Sequence, residues 1–97
     1  MLSITDGRGF QMKFENGWTV SVQFGTMNYC ANRSYGLNDK EINPQRHIVE
    51  WNSENAEIAA WDANGTWYNF EHDTVDGWQT SNQVAEFINK IANMPAS

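Results

Sequence analysis

At 97 residues with a net charge of −6, the chain has room for one domain and one core. Its 40% apolar and 13% aromatic content is globular, which excludes the disordered and fibrous classes. The acidic balance excludes a nonspecific electrostatic grip on DNA or RNA, where basic side chains must replace counterions.

The opening MLSITDGRGF has neither a basic region nor an apolar stretch of the kind that directs export. No apolar run approaches the roughly 18 residues of a membrane span. The single cysteine, Cys30, cannot close an internal disulfide, so the expected compartment is a reducing cytoplasm. The stretch LSIT reads as a short strand before the turn Asp6-Gly7-Arg8-Gly9.

Residues 10–24 read as a hairpin. Phe10, Met12 and Phe14 alternate with polar residues, as do Trp18, Val20, Val22 and Phe24, the period of strands with one buried face. A two-residue Asn16-Gly17 turn would oppose Phe14 to Thr19 and mix the faces. A three-residue loop, Glu15-Asn16-Gly17, opposes Phe14 to Trp18 and Met12 to Val20, so register favours a type I turn with Gly17 left-handed in a bulge.

From Gly25 the alternation stops, and residues 25–47 are expected to form a long loop. Loops beyond about 12–15 residues are uncommon in compact domains and are often functional. Residues 26–47 set Arg33, Lys40 and Arg46 against Asp39 and Glu41, a net +1 that leaves −7 for the rest of the chain. Tyr29 and Tyr35 offer rigid stacking faces, Asn28 and Asn32 paired donors and acceptors, and Arg33, Lys40 and Arg46 cationic partners for anions. These seven residues form the expected ligand-binding set for a polar, anionic, ring-bearing molecule such as a nucleotide. Similar compositions serve protein-binding loops, and a solvated connector is the plain alternative.

HIVEWN, residues 47–52, is compatible with a further strand. Residues 56–70 repeat the logic of the first hairpin, with Ala63-Asn64-Gly65 as the loop and Asp62 opposite Thr66. Ile58 and Ala60 then share one face with Tyr68 and Phe70, while Trp61 meets Trp67 on the other as a cross-strand pair. That pair is a candidate interface, either for a partner or between copies of the chain. Trp18 and Trp78 are expected in the core.

The end of the chain, residues 81–94, reads as a helix. Thr80-Ser81-Asn82-Gln83 fits a capping box, Val84, Phe87, Ile88, Ile91 and Met94 fall on one face, and Pro95 ends the helix. The expected fold class is α+β: an antiparallel meander of four to five strands with the C-terminal helix packed on one face.

Catalytic motifs are missing: there is no phosphate loop, dinucleotide fingerprint, CxxC pair or HExxH. No metal site, cofactor or catalytic residue is expected. A solvated acidic turn accounts for Glu71, His72, Asp73 and Asp76, and a small buried apolar group accounts for Cys30.

ITDGRGF, FENGWTVSVQFG, NYCANR and AEIAAWDANGTW, in this order and followed by a short closing helix, resemble a group of small uncharacterised proteins of tailed bacteriophages and prophages. The resemblance spans residues 3–33 and 56–92, and segment 34–55 is particular to this chain. It implies an accessory protein acting in the host cytoplasm and transfers no catalytic residue. Three functions remain open. One is a non-enzymatic protein that counters a bacterial defence by sequestering a nucleotide-like signal. Another is an acidic protein that binds and inhibits a host defence protein, with nucleic-acid mimicry as one mode, using Glu50, Glu54, Glu57 and Asp62. The third is a small hydrolase built on His47, His72 and Asp73.

Overall fold

In the computed structural model, which describes residues 1–5, 9–25, 28–31 and 52–96, the first hairpin pairs as its side chains require. Strands β2 (Gly9–Lys13) and β3 (Thr19–Gln23) oppose Phe10 to Val22 and Met12 to Val20. The Phe14 N–H donates to Trp18 O at 2.9 Å, and the Gly17 N–H donates to Phe14 O at 3.1 Å. Gly17 has φ 90, the left-handed conformation that closes a three-residue loop. All the apolar residues of the hairpin thus face one side.

Strand β1 (Leu2–Ile4) adds to the outside of β2, and β4 (Ala56–Trp61) pairs antiparallel with β3. The last strand, β5 (Asp76–Gln79), follows β4, completing a meander of order β1-β2-β3-β4-β5. Helix α1 (Ser81–Ala92) then packs across β3, β4 and β5. The expected α+β meander with a docked C-terminal helix is therefore the fold.

The second hairpin departs from the expected span of 56–70. Its tip forms as anticipated: Asp62 N donates to Thr66 O at 2.9 Å, and Trp61 bridges Trp67. After Tyr68, whose N–H donates to Ala60 O at 2.7 Å, the returning arm leaves β4. Tyr68 and Phe70 turn onto Phe87 of α1, with ring centroids 5.5 and 5.3 Å away. Packing on the helix outweighs continuation of the ladder, and β5 takes the vacated edge, pairing Ile58 with Asp76 and Ala56 with Gln79 across a bulge.

The core lies between the sheet and α1. Val20, Val22, Ala56, Ile58, Ala60, Phe87 and Ile91 are buried together, with Trp18, Val84, Ile88 and Met94 packed around them. Every residue of the anticipated helical stripe contributes. The capping box is also formed: Thr80 Oγ1 accepts from the Gln83 N–H at 3.3 Å, and the Thr80 N–H donates to Gln83 Oε1 at 2.8 Å.

Asn16 ties the hairpin tip to the far end of the helix. Its Nδ2 donates to Ile91 O at 2.9 Å, which also accepts from the Met94 N–H at 3.2 Å, and to Met94 O at 3.0 Å just past the helix end. Its Oδ1 meanwhile accepts from the Trp18 N–H at 3.0 Å. Replacing Asn16 with alanine should lower the unfolding free energy by about 1–2 kcal/mol, checked by urea denaturation.

Candidate functional site

The two faces of the sheet differ. The face away from α1 carries Ser3, Gln11, Thr19, Ser21, Gln23 and Glu57, each opposite another of the set or beside it in register. Over its β4–β5 side lies the short segment 28–31, the described part of the anticipated long loop.

Glu57 holds that segment. One carboxylate oxygen accepts from Asn28 Nδ2 at 3.3 Å and the other from the Tyr29 N–H at 3.0 Å. Asn55 Oδ1 accepts from the Ala31 N–H, and the Tyr29 carbonyl accepts from the Trp78 N–H at 2.8 Å. Close approach also requires Gly77, since a Cβ there would lie 2.5 Å from Tyr29 Cβ. Cys30 is buried beneath, its Sγ 3.4 Å from Gly25 O.

The result is a presented aromatic pair. The rings of Tyr29 and Trp78 lie 5.7 Å apart at 37°, and the two residues are 41% and 50% exposed. Trp78 corrects the expectation that it is core. It sits in the β5 bulge with φ 52, a left-handed backbone that bulky residues seldom adopt, and so projects outward.

Trp61 and Trp67 form a second pair, with centroids 5.0 Å apart at 42°. Trp61 is half-buried and Trp67 is 46% exposed, so this pair is accessible on the described structure.

Of the seven residues expected to bind ligand, Asn28 and Tyr29 are placed together on this face. Both ends of the Asn28 amide are engaged, since its Oδ1 also accepts from the Gly25 N–H at 2.9 Å, so it positions Tyr29. Asn32, Arg33, Tyr35, Lys40 and Arg46 lie outside the described residues, as do Glu50, His47 and all but the last residue of the strand expected at 47–52. Sequence reasoning missed Trp78 and the clamping role of Glu57. The one local signal is the adjacent Gly77, a residue type that permits close approach, and nothing in the sequence around it names what approaches.

Two further features bear on chemistry. A cleft of about 390 Å³ opens beside the first half of α1, floored by Val22, Phe24, Ala56, Val84 and Ile88 and rimmed by Asn52, Glu54, Gln79 and Ser81. Its described lining offers a carboxylate and no cation, which suits an anionic ligand poorly. His72 Nε2 lies 3.7 Å from Asp76 Oδ1 in an exposed turn. Among the described residues no three His, Cys, Asp or Glu side chains gather as metal ligands would, and no helix is long and apolar enough to cross a membrane.

Compared with known families, curated proteins and solved structures, the chain finds no match.

Proposed function

We propose that this is a non-enzymatic binding protein that sequesters a nucleotide-like signalling molecule. It would act in the bacterial cytoplasm as a phage accessory protein against a host defence. The observation that carries the reading is the Tyr29–Trp78 pair, held half-exposed by Glu57, Gly77 and an unfavourable Trp78 backbone. A fold that accepts such a conformation to present two aromatic rings supports a stacking role. Base–aromatic stacking contributes about 1–3 kcal/mol per base. Arg33, Lys40 and Arg46 belong to the same stretch of chain and would supply the phosphate contacts.

The competing reading, an acidic inhibitor of a host protein, is less well supported. Of its carboxylates, Glu57 is committed to segment 28–29, and Asp62 Oδ1 accepts from the Asn64 and Thr66 N–H groups at 2.9 Å each, which leaves Glu54 as the exposed one among the described residues. No described cluster supports the hydrolase.

Titration calorimetry against cyclic and ADP-ribose-derived nucleotides tests the proposal. One member should bind, and Tyr29→Ala or Trp78→Ala should each weaken it by about 5- to 100-fold while the fold persists. Failure of every member to bind the wild-type protein at high micromolar concentration would reject it.

A further inference from the structure

We infer that the outer edge of β1 is a self-association surface, through which two copies of the chain join their sheets about a two-fold axis at Ser3. This is independent of the ligand reading.

The argument starts from hydrogen-bond parity. Lys13 N donates to Met1 O at 2.9 Å, and Met1 N donates back to Lys13 O at 3.0 Å, which marks Met1 and Lys13 as a hydrogen-bonded pair. Thr5 N donates to Gly9 O at 3.0 Å in the same phase. In an antiparallel ladder this phase repeats every second residue, so Ser3 also points its main-chain groups at β2. Leu2 and Ile4 therefore direct their N–H and C=O groups away from the sheet.

An antiparallel copy placed about Ser3 matches that pattern. Leu2 falls opposite Ile4 of the second copy, and Ile4 opposite its Leu2. Both are then hydrogen-bonded pairs, and four main-chain bonds form without any change in either protomer. The side chains are complementary as well. Leu2 and Ile4 lie on the α1 side of the sheet, in register with Met12 and Phe10, but α1 packs only on β3–β5. They are consequently 71% and 85% exposed. Pairing would join the four aliphatic side chains across the axis and extend the half-buried Phe10 and Met12 surface.

Nothing in Leu2-Ser3-Ile4 guards the edge. It has no charge, no proline and no bulge, the usual devices against strand addition. The opposite end of the sheet differs, because β5 is bulged and the Trp78 N–H is already taken by Tyr29. A net charge of −6 opposes association in general, yet this strip brings no carboxylate of its own to the axis. The exposed surface of Met1, Leu2 and Ile4 is a small strip, well short of the roughly 800 Å² per side that a standard tight interface buries. A contact of this size makes a weak dimer whose population rises with concentration.

Sedimentation velocity on the full chain, untagged at its N-terminus, from about 5 µM to 1 mM provides the test. The wild type should pass from monomer to dimer over this range. Ile4→Lys should raise the dissociation constant by at least ~100-fold, because the two-fold axis counts each substitution twice. Ile4→Pro removes an outward N–H and should do the same, while Trp67→Lys should leave the dimer intact. Far-UV circular dichroism checks that each variant stays folded. A wild type that is monomeric throughout, a larger open-ended assembly, or a dimer that survives both Ile4 substitutions would overturn the proposal.

Discussion

Replacing Ile91 with alanine is expected to lower the unfolding free energy by about 3–4 kcal/mol, read from the urea midpoint at unchanged slope. Ile91 is fully buried, in the last turns of α1 and among the residues that join helix to sheet. Its carbonyl also anchors Asn16, so the side chain and the main chain of one residue hold the helix end at the hairpin tip. Small domains have only about 5–15 kcal/mol in all, so the loss is a large share of the total. Ile88, half-buried on the same stripe, sets the comparison: Ile88→Ala should cost clearly less. Equal effects at the two positions would mean that the helix is docked in a different rotation.

The second large effect is expected at Glu57. Glu57→Ala should cost about 2–3 kcal/mol, because two N–H donors lose a charged acceptor at once. Segment 28–31 should then lift from the sheet, and Trp78 should lose its Tyr29 neighbour. A red-shifted tryptophan emission and a weaker near-ultraviolet dichroism band would report this. Glu57→Gln keeps one acceptor and should lie between wild type and alanine. An unchanged spectrum in Glu57→Ala would show that the carboxylate does not hold the aromatic pair, and the stacking proposal would lose its mechanical basis.

Much of the fold was legible because its signals are local. Phe14 opposite Trp18 follows from the alternation and one left-handed glycine, and Thr80 with Gln83 marks the start of the helix. The stripe Val84, Phe87, Ile88, Ile91 and Met94 was readable from spacing alone and packs as that spacing requires. The last strand was not readable. Asp76-Gly77-Trp78-Gln79 has no alternation, and its outward Trp78 depends on a backbone conformation that no residue type there announces. Tyr68 and Phe70 carried a correct pattern for pairing with β4, but Phe87 of the helix competed for them. The candidate site was legible in part. Tyr29 stood out by its type, whereas Trp78 read as core and Glu57 as one surface carboxylate among several.

From its own residues the chain determined the first hairpin's register, the face the helix buries and the α+β class, since each rests on side chains two to four positions apart. Tertiary structure alone decided which segment closes the sheet, which carboxylate clamps residues 28–31 and which strand is left at the edge among the described residues. Those outcomes depend on partners such as Tyr29 with Glu57, 28 residues apart, and Asn16 with Ile91, 75 apart. No local period encodes such meetings, because they exist only once the layers have packed.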